Sequence, residues 1–319
     1  MPSVTILTFH RIIPKNEKPY FIPPMAMCEG TFIRLIERLS LIGKIIPLKD
    51  AVTQLKTSKL SSNVFSITFD DGYIDNYTIA RRTLASKGIP ATFFIPFNQI
   101  ERNDVFWWDY LFAIIKKNNS FDQWLSEKKN GKIDAKNLVN IHRDRLGMSI
   151  RGLVRALNSA SNDDRNRFLE TVKSEFGGYS GQRLLMNWNE IKQMANSGFE
   201  IGSHTMSHIP LTDISETKAV KEITVSKHMI GKKIGKEISG FCYPRGAYSK
   251  QLALLVQQGG YDYAVSTQFG SNTPITSPYA LKRRNMSDYP DLRRFFPVSM
   301  HLLELSGWLD SILTKRRIA

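Results

Sequence analysis

Short apolar runs alternate with amphipathic stretches along this chain, and this alternation constrains the fold more than any other feature of the sequence. The runs at 4–9, 64–69 and 90–97 predict buried strands, because they are short, apolar and rich in β-branched or aromatic residues. The stretches at 31–43 and 75–88 carry amphipathic patterns that stop at glycine, which predicts helices. Strands alternating with helices predict an α/β fold, in which helices cover a parallel sheet that is either open or closed into a barrel.

The alternation is interrupted between residues 101 and 185. This segment is polar and mostly helical in pattern, with an aromatic patch at 105–115. Beyond it the alternation resumes with a helix whose Asn187 and Glu190 match a capping box. Further strands are predicted at 199–204, 238–244 and 261–266, and further helices at 215–234 and 249–259. We therefore predict one domain, 1–319, with a helical insertion at 101–185.

The chain is strongly basic, because 44 lysine and arginine residues against 29 aspartate and glutamate residues give a formal net charge of +15. A solvated basic surface, a nucleic acid or an anionic membrane could account for this balance. No zinc-finger or RNA-recognition signature is visible, so no nucleic-acid partner is expected. The stretch 306–319 favours a membrane, because four apolar residues fall at helical spacing beside a basic cluster at 315–317. Peripheral contact with an anionic membrane is therefore predicted.

Signals for export and for membrane insertion are weak in this sequence. No lysine or arginine precedes the first apolar run, and the basic segment that opens a secretory signal is therefore missing. No window of about 18 apolar residues could span a bilayer. The two cysteines, Cys28 and Cys242, make no disulfide framework. We expect a cytoplasmic protein, or one bound peripherally to the cytoplasmic face of a membrane.

Two adjacent carboxylates, Asp70 and Asp71, follow the predicted strand at 64–69. Functional residues of α/β proteins collect where parallel strands end. Free carboxylates at such a place need a metal ion or a charged partner, although Asp-Asp-Gly is also ordinary turn chemistry. Neighbouring residues of a strand point to opposite sides, so the two aspartates are expected to do different work.

His204 ends another predicted strand, and His208 follows four residues later. This spacing puts two imidazoles on one face if the residues between them turn helically, as zinc sites often require. With one aspartate from a neighbouring strand end they would form a site of two histidines and one carboxylate, with positions left open. A third strand runs into Tyr243, Pro244 and Arg245, a turn whose backbone N–H groups could face an oxyanion.

Taken together, TFDDG at 68–72, GFEIGSHTMSH at 198–208 and FCYPRGAY at 241–248 resemble the motifs of the polysaccharide deacetylase family, carbohydrate esterase family 4. The similarity extends to 187–198 before the histidines and to 259–267 after the proline motif. The resemblance implies an α/β fold of a particular kind, a distorted (β/α) barrel with a metal ion at the carboxyl edge of its strands.

The resemblance also implies roles for individual residues, carried over position by position. The implied metal ligands are Asp71, His204 and His208. The implied ion is divalent, with Zn²⁺ the expected one. Asp70 would be the general base, and the backbone N–H of Arg245 would stabilise the oxyanion within a substrate-binding turn that includes Tyr243 and Pro244.

The third motif departs from the family pattern. Its usual form is R-x-P-Y, whose arginine holds the base aspartate. The corresponding run here is 242–245, in which a cysteine and an arginine replace the first and last residues. The run LKRR at 281–284 resembles the L-P-R run of some members. We hypothesise that Arg283 holds the base instead.

The family's catalytic-acid histidine, which ends a Leu-x-His strand near the C-terminus, is also missing from its usual place. His301 lies within a helical pattern there, and His142 and His228 fall in predicted helices. His10 ends the first apolar run, where it could be an idle strand cap. It resembles the missing histidine of permuted family members. We predict that His10 is the acid, within a few ångströms of the site and on the side away from Asp70.

These features predict a metal-dependent hydrolase that removes the N-acetyl or N-formyl group of an amino sugar. The expected substrate is an N-acetylated glycan or a lipid-linked or nucleotide-linked sugar of surface-polysaccharide assembly. The aromatic residues 106–108 could stack on sugar rings or enter lipid, although core packing within the insertion is the simpler interpretation. The alternative is a non-catalytic protein that binds carbohydrate or nucleic acid on a deacetylase framework, which the replaced arginine and the net charge favour.

Overall fold

The fold is given by a computed structural model that describes residues 2–14, 25–127 and 146–288. The strands are β1 (Val4–Phe9), β2 (Arg11–Ile13), β3 (Ala26–Cys28), β4 (Lys44–Ile45), β5 (Val64–Phe69), β6 (Thr92–Ile95), β7 (Glu200–Ser203), β8 (Gly240–Cys242), β9 (Tyr263–Val265) and β10 (Arg283–Asn285). The α-helices are α1 (Glu29–Ile42), α2 (Leu48–Lys56), α3 (Arg81–Ser86), α4 (Phe97–Arg102), α5 (Trp107–Lys117), α6 (Phe121–Glu127), α7 (Leu146–Ser159), α8 (Asn162–Phe176), α9 (Trp188–Asn196), α10 (Glu216–Ile234) and α11 (Lys250–Gln258). A π-helix, Asn76–Ala80, precedes α3.

The main sheet is parallel throughout, with the strand order β10-β1-β5-β6-β7-β8-β9 and the short β4 paired with β5. The residues before β10 return to the other edge of this sheet, because Leu281 forms a parallel bridge with Val265 of β9. The strands therefore form a nearly closed parallel barrel, and helices from the crossover connections surround it. Strands β2 and β3 pair separately as a two-stranded parallel sheet.

The register of the central strands brings their carboxyl ends to one edge. Phe9, Phe69 and Phe93 are paired across β1, β5 and β6. Their rings stack in a row, with centroids 5.2 Å apart for the first pair and 4.8 Å for the second. All three side chains are fully buried. Because this row fixes the ends of the strands, the residues that follow β1 and β5 lie next to each other.

Several elements differ from their predicted extents. Strands β1 and β5 match their predicted limits, whereas β6, β8 and β9 are shorter than the apolar runs that contain them. The helix predicted at 75–88 is a π-helix followed by α3. The capping box of α9 is present, with Asn187 and Glu190 bonded reciprocally. Strand β10 was not predicted, because two of its three residues are arginines and it therefore lacks the apolar pattern of a buried strand.

The described residues fall into two compact units along the chain. One consists of 2–14, 25–104 and 184–288 and contains the barrel. The other consists of 105–127 and 146–183 and contains helices α5 to α8. Within this second unit Phe106 and Trp108 are buried and stack at 4.5 Å, as the core-packing interpretation of the aromatic patch expects. That 101–185 is an insertion within one deacetylase domain stays a prediction.

None of the described helices is both long and apolar enough to cross a membrane. The stretch at 306–319, predicted to be an interfacial helix, lies outside the described residues, as do His142 and His301.

Candidate active site

Asp70 and Asp71 follow strand β5 and are both almost completely buried. Asp71 has a positive φ of 76°, and the following Gly72 has one of 72°. A non-glycine residue rarely adopts this left-handed conformation, and such residues cluster at functional sites. The turn sends the two carboxylates in different directions, Asp71 toward the histidines and Asp70 toward β10.

The two histidines meet at one oxygen of Asp71. The Nε2 atoms of His204 and His208 lie 3.5 Å and 3.1 Å from Asp71 Oδ1. His204 Nδ1 lies 2.8 Å from the backbone oxygen of Cys242 and donates to it, so in the neutral ring that a metal ion requires Nε2 would carry the lone pair. A second-sphere bond of this kind fixes the tautomer and the ring orientation of a metal-ligating histidine.

The residues between the histidines do not turn helically, which corrects the expectation from their spacing. Thr205 and His208 both adopt left-handed backbone conformations, with φ of 67° and 55°. Residues 204–208 lie outside any helix, and the two rings approach with centroids 4.7 Å apart. The imidazoles therefore converge through a strained loop rather than along one face of a helix.

Asp71, His204 and His208 suit a divalent metal ion. Their ligand atoms lie within 4.8 Å of one another, and the donor set of two imidazole nitrogens and one carboxylate matches zinc and similar ions. Burial raises the pKa of Asp71, but hydrogen bonds from the two histidines outweigh it and hold the pKa far below its ordinary value. The carboxylate is therefore ionised, as a metal ligand must be.

A second group, Asp70, His204 and Cys242, also brings its ligand atoms within 4.8 Å. The guanidinium of Arg283 already pairs with this second group, because its Nη2 lies 2.7 Å from Asp70 Oδ2 and 3.2 Å from Cys242 Sγ. Burial raises the pKa of the Cys242 thiol despite the nearby arginine. A neutral thiol is a poor metal ligand, so the first group is the better candidate.

Arg283 holds Asp70 through two parallel hydrogen bonds. Its Nη1 donates to Asp70 Oδ1 at 2.8 Å, and its Nη2 donates to Oδ2 at 2.7 Å. Further bonds from Nε to the oxygen of Ser266 and from Nη1 to Thr68 Oγ1 fix the guanidinium. Burial raises the pKa of Asp70, but the charge and hydrogen bonds of Arg283 outweigh it and hold the pKa below its ordinary value. Asp70 is thus a buried, ionised carboxylate whose orientation is fixed by Arg283.

His10 follows β1 and lies beside Asp70, with Nε2 3.9 Å from Asp70 Oδ2. The sequence predicts His10 on the other side, away from that aspartate. The pairing of β1 with β5 explains the difference, because it puts the residues after Phe9 and Phe69 next to each other. Among the described residues, the buried Nδ1 atom of His10 has no hydrogen-bond partner.

The second residue of the third motif, Tyr243, is buried. Tyr243 donates its backbone N–H to Val265 and its hydroxyl to the oxygen of Tyr279, so both groups serve the fold. Pro244 has no N–H to offer. Arg245 adopts a left-handed conformation with φ of 56°. Its role at an oxyanion stays a prediction.

Comparison with known proteins explains this combination of fold and site. The family model described as polysaccharide deacetylase matches residues 57–132 and 170–264, which is more than half of the chain. The chain belongs to the polysaccharide deacetylase family. Both aspartates and both histidines lie within the matched residues, whereas His10 and Arg283 lie outside them.

A curated relative of this chain is distant in sequence. YxkH of Bacillus subtilis, a protein named after the same family, is 26% identical over 107 residues. That match covers 34% of this chain and 38% of the length of YxkH.

Solved structures of deacetylases confirm the fold. Streptococcus pyogenes deacetylase PplD, solved with acetate, has a TM-score of 0.59 at 16% identity and covers 90% of this chain and 96% of its own. IcaB from Ammonifex degensii has a TM-score of 0.56 at 15% identity, covering 89% and 91%. A de-N-acetylase from Aggregatibacter actinomycetemcomitans also reaches 0.56 at 15% identity, covering 93% and 99%. The distorted barrel that the sequence resemblance implied is therefore confirmed.

Some residues of this candidate site were not singled out from the sequence. Glu222 of α10 bonds the loop between the two histidines, and Asn76 of the π-helix bonds the backbone of His10. Glu222 gave no signal, since it is one of many charged residues on an amphipathic helix. Cys242 was visible as a departure from the third motif, but its contacts with Asp70 and Arg283 depend on the pairing of distant strands.

Proposed function

We propose that this deacetylase removes the N-acetyl or N-formyl group of an amino sugar by metal-dependent hydrolysis. The observation that carries the proposal is the convergence of Asp71, His204 and His208 on one point, next to an Asp70 carboxylate held by Arg283. Members of the family are generally metal-dependent. A divalent ion bound by the three ligands would polarise the amide carbonyl and make its water a stronger acid.

Asp70 is the proposed general base. Arg283 keeps its carboxylate ionised and fixed in orientation, and an ionised carboxylate can accept a proton. Because Asp70 pairs with Arg283 and is not one of the three proposed ligands, it remains available to accept the proton of that water, and its carboxylate lies within 4.8 Å of a His204 nitrogen. The backbone N–H of Arg245 is the proposed donor to the oxyanion, in the turn that Tyr243 and Pro244 begin.

His10 is the proposed acid for the leaving nitrogen. Its Nε2 faces Asp70 at 3.9 Å, a distance across which a small movement would allow proton exchange. The proton that Asp70 takes from water can then pass through His10 to the amine as the C–N bond breaks. The same C–N cleavage frees acetate and the amine, and it needs a proton donor because an unprotonated nitrogen would have to leave as a strongly basic anion.

An amino-sugar glycan or a lipid-linked sugar intermediate of surface-polysaccharide assembly is the proposed substrate. Support comes from structural neighbours, since PplD was solved with acetate and another neighbour is named a de-N-acetylase. The net charge of +15 suits an anionic surface, and we propose peripheral contact with the cytoplasmic face of a membrane rather than with nucleic acid.

The decisive experiment measures acetate and formate release by protein stripped of metal and reloaded with Zn²⁺. The substrates are N-acetylhexosamine oligomers and their lipid-linked forms. We expect release that requires the ion and that falls about 10²–10⁴-fold in Asp70→Asn, the range typical of a lost general base. The exposed Asp163→Asn provides the matched control. Glycan binding without any release would instead favour the non-catalytic binding protein.

A further inference from the structure

The loop from His204 to His208 carries two of the three proposed metal ligands, and its conformation is unfavourable on its own. Thr205 and His208 both have positive φ values. A loop of this kind keeps its shape only where surrounding contacts determine it. The hydrogen bonds of its backbone therefore show what fixes the separation of the two imidazoles.

The carbonyl groups of this loop are held from one side, by helix α4. Phe97 donates its backbone N–H to the oxygen of Thr205 at 3.1 Å. Asn98 donates in the same way to the oxygen of Met206 at 2.7 Å. The side chain of Gln99 donates to the oxygen of Ser207 at 3.1 Å.

The N–H groups are held from the other side, by a single side chain of helix α10. Glu222 Oε2 accepts the backbone N–H groups of Met206 and Ser207, both at 2.9 Å. Its Oε1 accepts the hydroxyl of Ser207 at 2.6 Å. The N–H of His208 is satisfied within the loop by Thr205 Oγ1 at 3.0 Å. Carboxylates form the stronger kind of hydrogen bond, and this one joins both central peptides of the loop.

We propose that Glu222 is a positioning residue that sets the separation of the His204 and His208 donors and thereby the affinity of the site for its metal ion. The inference rests on the proposed function, because it concerns the same three-ligand site. Without Glu222 the N–H groups of Met206 and Ser207 lose their common acceptor and the loop must turn toward water to satisfy them. The His208 imidazole would then move away from Asp71 Oδ1, its partner at 3.1 Å.

The test measures Zn²⁺ affinity of the full chain directly, by competition with a chromophoric chelator. Glu222→Ala is expected to weaken binding about 10–100-fold, the range typical of lost second-sphere partners. Glu222→Gln keeps one oxygen that can accept both N–H groups, so it should restore most of the affinity. Glu216→Ala, an exposed glutamate on the same helix, is the matched control and should bind as the parent does.

Two further readouts separate positioning from a merely structural role. The absorption spectrum of the Co²⁺-loaded protein should change in Glu222→Ala, because the ligand geometry changes. Unchanged Zn²⁺ affinity in Glu222→Ala, with melting lowered equally with and without metal, would overturn the inference. If that variant does not fold, Glu222→Asp decides, since its shorter side chain cannot reach both N–H groups and should bind more weakly. If the parent chain itself binds no divalent ion, the proposed function fails together with this inference. If the parent binds the ion and Glu222→Ala binds it equally well, only this inference fails.

Discussion

Two hydrogen bonds join the guanidinium of Arg283 to the carboxylate of Asp70, and both side chains are almost completely buried. Buried charges are stable only as a satisfied pair, because each one alone has lost its hydration. The pKa of Arg283 is pushed down by burial, but the facing carboxylate outweighs this and raises it above its ordinary value. The pair therefore stays ionised throughout the physiological range.

We predict that Arg283→Ala destabilises the fold by about 3–5 kcal/mol, because it leaves an unpaired buried charge. Acetate release should also fall, since Asp70 loses its orientation. Arg283→Lys keeps the charge but not the two parallel bonds, so it should recover more stability than activity. Urea unfolding and the release assay measure the two effects. Parental activity in Arg283→Ala would dispose of the orienting role.

At the scale of elements, the π-helix holds the turn that carries His10. Asn76 donates its side-chain N–H to the backbone oxygen of His10 at 2.7 Å. The neighbouring Asp75 accepts the backbone N–H of Ile12 at 2.9 Å and pairs with Arg11. Single π turns are rare in proteins as a whole, but those that occur often lie at functional sites. This one brings two consecutive polar side chains to the end of β1.

Asn76→Ala should therefore lower kcat about tenfold with little change in KM, because His10 loses a contact that fixes its backbone while the substrate contacts remain. Thr78→Ala, on the exposed side of the same π-helix, is the control. Steady-state kinetics on the acetylated glycan measure both. A change confined to KM would contradict the assignment.

Elements with continuous apolar runs could be predicted from the sequence, and those made by polar pairing could not. Strands β1 and β5 are uniformly buried, so their limits follow from hydrophobicity alone. Strand β10 is Arg-Arg-Asn, a composition that is typical of an exposed segment. Its two arginines are nevertheless buried, because Arg283 bonds Asp70 and Arg284 lies over the ring of Phe269, and the first of these contacts joins distant parts of the chain.

The same distinction applies to the site. Motif spacing indicated two histidines with one of two aspartates, and the family resemblance then implied Asp71 as the ligand and Asp70 as the base. The structure brings the atoms of the three implied ligands together. The sequence could not indicate on which side of Asp70 the His10 ring would lie, because that depends on the register of β1 against β5. Nor could it reveal Glu222, whose partners are backbone groups with no sequence signature.

At the scale of the whole molecule, a carboxyl group ties three strands of the barrel together. Glu200 of β7 accepts hydrogen bonds from the hydroxyl of Tyr263 in β9 at 2.8 Å and from Thr92 Oγ1 in β6 at 2.9 Å. Burial raises the pKa of Glu200, and these two hydrogen bonds offset only part of the rise. A raised pKa in the folded state means that the protonated form is favoured by folding. Protonated Glu200 therefore stabilises the fold below the ordinary pKa of 4.5, and this stabilisation is lost as the pH rises through the raised pKa that Glu200 has in the folded state.

Glu200→Gln should therefore melt at nearly the parental temperature at pH 4 and above it at pH 7 to 8, because the amide keeps both partners without a buried charge. Each kcal/mol gained corresponds to about 2–4 °C in a protein of this size. Thermal melts across this pH range give the comparison, with the exposed Glu175→Gln as control. A melting difference independent of pH would contradict the assigned cause.

The position of β1 between β10 and β5 has a consequence for the time course of folding. Ile6 pairs with Ser66 on one side and with Arg283 on the other, so one neighbour of the first strand leaves the ribosome early and the other very late. Contacts so distant in sequence form slowly. Until β10 arrives, one edge of β1 is unpaired and open to strands of other chains, which is the condition for aggregation. Protection of the nascent chain by chaperones should thus matter most while residues 70–280 are being synthesised.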